Sequence, residues 1–231
     1  MCYTIEKNDE KSIKMEIKPI AKIKNDFSDK FAVPRQSGLS DIESRIVFEN
    51  EYSDPVALKG IEDFSHLWII WGFSENIREE HSLTVRPPLL GGNEKVGVFA
   101  SRSPFRPNNL GLSCVELKGI EKGELIVSGA DLINETPIYD IKPYIPYSDS
   151  KENAKGGFTD KRDFHMLEVE FDEELCNKLS DKQKKTLLQI LKNDPRPAYH
   201  NDDNRIYGFK FANKEIKFKV KEDILKVISI D

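Results

Sequence analysis

The sequence predicts a mainly β fold, a β-barrel or sandwich and not a Rossmann sheet, followed by a smaller α+β unit. Three observations predict it. Short strand-like runs joined by Pro/Gly-rich loops fill the first two-thirds of the chain, the pattern of a barrel or sandwich. A capped helix appears only in the last third, between further strand-like runs. No G-x-G-x-x-G follows a strand and no G-x-x-x-x-G-K-[ST] occurs, so neither a dinucleotide-binding sheet nor a P-loop is expected.

Taken in order, "IKMEIKPIAKI" alternates apolar and polar residues with period two, as a half-buried strand does. "SRIVFE" predicts a short strand. "FSHLWIIWGF" is a continuous apolar run rich in aromatics and predicts a buried strand. "KVGVFAS" predicts another. "SCVELKGIEKGELIVSGADL" predicts a hairpin turning at Glu121, Lys122 and Gly123. Residues 148–163, "SDSKENAKGGFTDKRD", are polar and without periodicity, so they predict a linker or mobile loop. Beyond it, "HMLEVEF" predicts a strand and Asp172 the cap of a short helix to about Leu179. Ser180 and Gln183 form a capping box that opens a second helix to about Lys192, with Leu187, Ile190 and Leu191 as its apolar stripe. "RIYGFKFANKEIKFKVKEDILKVISI" closes as strands with a turn at Asn213 and Lys214. The predicted division is the β unit over 12–147, the loop over 148–163 and a small α+β domain over 164–231.

Composition sets outer limits. The chain has 231 residues, of which 38% are hydrophobic and 32% charged, enough apolar material for a core. A formal charge of −5 argues against a generic nucleic-acid coat but leaves room for a local basic site. Cys2, Cys114 and Cys176 have no metal-ligand spacing, and the four histidines lie far apart, so no metal site is expected. The odd cysteine count implies a reducing compartment. The N-terminus is too polar for a signal peptide, and the longest apolar run, residues 67–73, is too short to span a bilayer. A cytoplasmic protein without a membrane partner is expected.

Five loops share one style, arginine or lysine with proline and a small polar residue: "KFAVPRQSGLS", "TVRPPLLGG", "ASRSPFRPNNLG", "YDIKPYIPYSDS" and "NDPRPAYH". Proline fixes φ and lowers the entropy lost when a loop is ordered. Arginine presents a planar fork of donors to carboxylate or phosphate. Singly, each loop is equally a surface edge whose arginine pairs with a neighbouring acid; five in one chain point to a charged site in fixed geometry. Asp140, Lys142 and Tyr144 share one face if their segment is a strand. Either they orient a substrate and move a proton, or they are a solvated strand edge. Trp68 and Trp71 read as core more readily than as a base-stacking platform.

These loops, in this order, resemble the TsaA-like family of tRNA methyltransferases. The matching stretches are "FAVPRQ", "GIEDFSHLWII", "TVRPPLLGGN", "GVFASRSPFRPNNLGLS", "VELKGI", "DIKPYIPY" and "DPRPAY". The resemblance implies methylation of the exocyclic amine of threonylcarbamoyladenosine beside the anticodon, with S-adenosylmethionine as donor. It also implies a small, mainly antiparallel β-barrel that holds the donor without a Rossmann sheet, and a homodimer with the cofactor near the subunit interface; the tRNA anticodon stem-loop is the expected partner. Carried over position by position, it places Arg35, Gln36, Ser37, Ser74, Glu75, Arg102 and Leu112 at the cofactor, and closes that pocket with Ser128, Gly129, Ala130 and Asp131. Arg106, Asn108, Lys142, Arg196 and Tyr199 are expected at the substrate. Asp140 is the expected proton acceptor and Tyr144 its orienter. Three positions depart from the family pattern: Ser37 and Asn109 stand where proline is frequent, and Glu135 where a small residue is. The alternatives are an S-adenosylmethionine- or nucleotide-binding regulator, or a methyltransferase for another acceptor.

Overall fold

The structure, a computed structural model, describes residues 2–5, 13–75, 82–161, 166–196 and 202–231. Fourteen strands and three α-helices run along these residues. Strands β1 (Cys2–Ile5) and β2 (Ile13–Glu16) pair as an antiparallel ribbon. Next come β3 (Ala21–Lys24), β4 (Glu43–Phe48), β5 (His66–Gly72), and the two-residue strands β6 (Thr84–Val85) and β7 (Val96–Gly97). Then follow β8 (Leu110–Glu121), β9 (Glu124–Ser128), β10 (Pro137–Pro143) and the single-turn helix α1 (Pro146–Asp149). The C-terminal part contains β11 (Glu168–Glu170), α2 (Glu173–Cys176), α3 (Asp181–Lys192), β12 (Tyr207–Phe211), β13 (Lys214–Lys221) and β14 (Ile224–Ile230).

Six strands close into a barrel in the order β10-β3-β4-β9-β8-β5, every neighbouring pair antiparallel. The mainly β, barrel-forming reading of the sequence is what the chain adopts. Alternation explains the barrel core. Ile23, Ile46, Leu67, Ile69, Leu125, Val127 and Ile138 point inward and are fully buried, with Leu132 packed beside them. The hairpin between β8 and β9 turns on Lys122 and Gly123, both at positive φ (53° and 82°), which suits the twist of the flanking strands.

Strand β10 carries an irregularity that matters for the site. Its register against β5 shifts between Ile138 and Asp140. The extra residue reverses the alternation. Ile138 faces the core, Ile141 packs against it beyond the shift, and Asp140 and Lys142 share the outer face as an ion pair of 2.8 Å.

The C-terminal sheet runs β11-β14-β13-β12, with β11 parallel to β14. Helix α3 opens on the predicted capping box, both reciprocal bonds being present, and buries Leu187, Ile190 and Leu191 against this sheet. Phe27, Ala32 and Ile42, from the segment joining β3 to β4, belong to the same core. That segment is tied down further. Asp41 N–H donates to Gln189 (2.8 Å), Gln183 donates to Asp26 (3.1 Å), and the Lys185–Asp41 and Lys182–Glu43 ion pairs span 2.6 and 2.5 Å.

Four local expectations change. "IKMEIKPIAKI" is two strands broken before Ala21, because Pro19 has no N–H to continue a ladder. "KVGVFAS" holds two strand residues and then a 3₁₀ turn over Val98–Ala100. Asp172 occupies the N-cap of α2, yet its side chain makes no capping bond. The β12–β13 turn is centred on Ala212 and Asn213, both at positive φ, one residue before the expected pair.

Candidate active site

A cleft of about 730 Å³ in the barrel unit opens where the end of β5, the start of β8, the 101–109 loop and the 30–36 loop converge. That volume falls within the roughly 300–1,000 Å³ of small-ligand sites. Its walls are of mixed chemistry. Trp68, Trp71 and Phe73 supply aromatic surface, Arg35, Arg102 and Arg106 supply cations, and Glu75 and Asp131 supply carboxylates.

The 101–109 loop is braced from within. Arg106 donates to the Ser101 carbonyl (3.1 Å), and the Phe105 amide to the Ser103 hydroxyl (3.2 Å). Asn109 donates through its side chain to the Pro104 carbonyl (3.0 Å), while its own carbonyl accepts the Phe73 amide (2.9 Å). The side-chain bond of Asn109 thus restrains the loop where a proline ring would have done so. Arg102 donates to the side-chain oxygen of Gln36 and so links this loop to the opposite wall.

At the floor, Trp71 is buried against Gly111. A Cβ on Gly111 would stand 2.3 Å from the indole, so only glycine fits. Trp71 Nε1–H donates to Ser113 Oγ (2.9 Å), and Ser113 donates to Asp131. Burial pushes the Asp131 carboxyl above the ordinary aspartate range. Ser113, the Arg102 charge and the Ser37 amide pull the other way. Serine at position 37 supplies that amide donor; a proline could not. Gly38 N–H binds the Gly129 carbonyl (2.9 Å), and the positive φ of Gly129 (86°) brings the two backbones together.

Of the cofactor residues expected from the sequence, Arg35, Gln36, Ser74, Glu75, Arg102, Leu112 and Asp131 line the cleft. Ser37, Ser128, Gly129 and Ala130 do not. Ser128 and Ala130 are buried behind it, and Ser37 and Gly129 shape its edge through the backbone. Arg35 is also committed to the fold: its Nη2 donates to the carbonyls of Asp194 (3.2 Å) and Arg196 (3.0 Å). Among the substrate residues, Arg106 and Asn108 line the cleft. Arg196, with a side chain only 12% exposed, pairs bidentately with Asp194 at 2.8 and 2.9 Å. Tyr199 lies outside the described residues. Asp140, Lys142 and Tyr144 stand on the outer barrel face, where the Tyr144 ring packs 5.7 Å from Trp68.

Sequence reasoning missed Ser113 and undervalued both tryptophans. Trp71 is core and cleft floor at once, and Trp68 is a wall held by Asp149 (3.0 Å). The signal for Ser113 was a serine at an inward position of a barrel strand, where a hydroxyl needs partners.

Comparison with known proteins decides the family. A model of the tRNA-methyltransferase O N-terminal domain matches residues 22–150, and one of the TrmO C-terminal domain matches residues 165–231. The chain belongs to the TrmO family. A tRNA (adenine(37)-N6)-methyltransferase of Escherichia coli is 34% identical over 94% of this chain and 97% of its own. A putative S-adenosylmethionine-dependent methyltransferase RcsF of Pseudomonas aeruginosa is 35% identical over 93% and 96%. A crystal structure of TrmO from Pseudomonas aeruginosa superposes with a TM-score of 0.77 at 29% identity, covering 95% of this chain and all of that one. The three positions that the sequence reading set apart, Ser37, Asn109 and Glu135, have local physical roles. Asn109 and Ser37 act as described above. Glu135 adopts φ 68° and is held by an ion pair with Lys24. A left-handed position favours a residue without Cβ, in keeping with the small residue that the resemblance leads one to expect there.

Proposed function

We infer that the protein is an S-adenosylmethionine-dependent tRNA methyltransferase acting on the adenine at position 37. The observation that carries this is the family match over both halves of the chain, joined to a cleft whose chemistry suits the donor. S-adenosylmethionine, the methyl-donating co-substrate, supplies an activated methyl group. Its carboxylate suits a guanidinium, and its adenine and sulfonium suit the aromatic walls. Arg102 and the 30–36 loop would hold its methionine end, with Trp68, Trp71 and Phe73 at its flat and cationic parts.

The finer reading is that the acceptor is the exocyclic amine of threonylcarbamoyladenosine, presented by an anticodon stem-loop. Arg106 and Asn108, in the cleft yet not needed for the donor, support it. They would meet the threonyl carboxylate or a phosphate. The prolines around them hold the acceptor nitrogen near the methyl group, where positioning supplies much of the rate. The barrel, residues 12–147, would carry the donor, and the 164–231 unit would complete the RNA surface. A homodimer fits the exposed large apolar side chains Leu83, Phe99 and Leu112. A cytoplasmic location fits the tRNA substrate.

The test compares Arg102→Ala and Arg106→Ala. Arg102→Ala is expected to weaken S-adenosylmethionine binding about tenfold or more, the effect of one charge-assisted bond. Arg106→Ala is expected to keep that binding and lose methylation of threonylcarbamoylated stem-loop RNA. Wild-type activity is expected to fall steeply with salt if several phosphates are met. Cofactor binding without methylation of that RNA at low salt would favour the regulator reading.

A further inference from the structure

Among the described residues two carboxylates line the cleft, and they differ in kind. Glu75 is exposed at the rim. Asp131 is at the floor, at the end of a relay whose direction is forced. An indole N–H only donates, so Ser113 Oγ accepts it and turns its own hydrogen to Asp131. The relay orients the carboxyl group without neutralising it. Trp71 is itself locked, because Gly111 leaves room for the ring and for nothing more. Among the described residues the charged groups facing this space are Lys30 and Arg35 from the 30–36 loop, Glu75 from the end of β5, and Arg102 and Arg106 from the 101–109 loop. Of these, the Arg102 charge draws the Asp131 carboxyl downward. Asp140, the acceptor expected from the sequence, does not line the cleft and is paired with Lys142.

We propose that Asp131 is the group that receives the proton released by the acceptor nitrogen during methyl transfer. This rests on the substrate reading given above. The step balances. The sulfur–methyl bond breaks with its electron pair left on sulfur, the nitrogen–methyl bond forms, and the nitrogen's proton passes to an Asp131 carboxylate oxygen. The sulfonium becomes a neutral thioether and the carboxylate a neutral acid, so no charge is stranded in the cleft. A carboxylate in a partly desolvated site is a stronger base than one in water, which suits a proton held between a purine and a carbamoyl carbonyl. Ser113 acts as a positioning residue. Its hydrogen bond stabilises the ionised form of Asp131, so its removal raises the pH at which Asp131 becomes an effective acceptor.

The experiment measures single-turnover methylation of threonylcarbamoylated stem-loop RNA by the full chain from about pH 4 to 9 at saturating S-adenosylmethionine. Wild type, Asp131→Asn and Ser113→Ala are compared. In parallel, cofactor affinity is measured by calorimetry, and the Asp131 carboxyl is titrated by carbon-13 NMR. In wild type the rate is expected to rise with pH along a one-proton limb that coincides with the NMR titration of Asp131. In Ser113→Ala both move to higher pH together, and the plateau is kept within about tenfold. Asp131→Asn is expected to lose the limb and about 10²–10⁴-fold in rate, with cofactor affinity changed less than about tenfold. The proposal is overturned if active wild type has a limb that ignores Ser113→Ala, if the limb survives in Asp131→Asn, or if saturating cofactor restores that variant. A wild type that binds the cofactor but methylates this RNA at no pH defeats the substrate reading, and the proposal with it.

Discussion

Replacing Arg35 by alanine tests whether the C-terminal unit helps to build the cofactor wall. Arg35 lines the cleft, yet its Nη2 donates to the carbonyls of Asp194 and Arg196, across the junction with the C-terminal sheet. A hydrogen bond contributes about 0.5–1.5 kcal/mol net, somewhat more when the donor is charged. Both bonds are solvent-accessible, which discounts them. The two together are therefore worth about 1–2 kcal/mol. For a chain of this size each kcal/mol shifts Tm by about 2–4 °C, so Arg35→Ala is expected to lower Tm by about 2–8 °C. Freed of this tie, the 30–36 wall should also bind S-adenosylmethionine less well. Differential scanning fluorimetry with and without the cofactor reads both effects, and Arg35→Lys, which keeps the charge but not the fork, should fall between. An Arg35→Ala protein with unchanged Tm in the absence of cofactor, yet more than tenfold weaker binding, would refute the argument and make Arg35 a ligand contact alone.

Gly111→Ala places a Cβ inside the Trp71 indole; overpacking of this kind costs about 1–3 kcal/mol or more, and the displaced ring should also impair methylation through Ser113, read by urea unfolding and activity together. Glu135→Gly relieves a left-handed backbone position, worth about 1–2 kcal/mol, against glycine's entropy cost of about 0.5–1 kcal/mol, and removes the Lys24 ion pair; because an exposed pair contributes little, a net gain of about 0.5–1 kcal/mol is expected in urea unfolding, and a loss would show that the pair dominates. Asp149 accepts the Ile145 amide (2.9 Å) and the Trp68 indole (3.0 Å), bonds that hold its carboxyl below the ordinary value of 3.8. Its folded pKa being depressed, its contribution is complete above 3.8 and lost as pH falls through the lower folded value. The stability advantage of wild type over Asp149→Asn, followed by Trp fluorescence in urea, should therefore shrink only at acid pH; an advantage that stays constant there contradicts the assignment.

The barrel strands and the capped helix were legible because their information is local. Period-two alternation at Ile23, Ile46, Leu67 and Ile69 tells which face is buried, and Ser180 with Gln183 marks a helix start wherever it sits. The arginine loops were legible because proline and arginine at fixed spacing restrict geometry before any tertiary contact forms. The standing of each charged residue was not legible. Arg35 and Arg196 look alike in sequence, yet the fold assigns one to two carbonyls across the junction and the other to Asp194. Alternation put Asp140 and Lys142 on one face, but only the register shift in β10 decided that it is the outer face. The Trp71–Ser113–Asp131 relay draws on β5, β8 and the loop after β9, residues up to 60 positions apart, and pairwise hydrogen bonds at such separation leave no periodic trace. Burial raises the Asp131 carboxyl for the same reason: desolvation belongs to the closed barrel and to no segment of it.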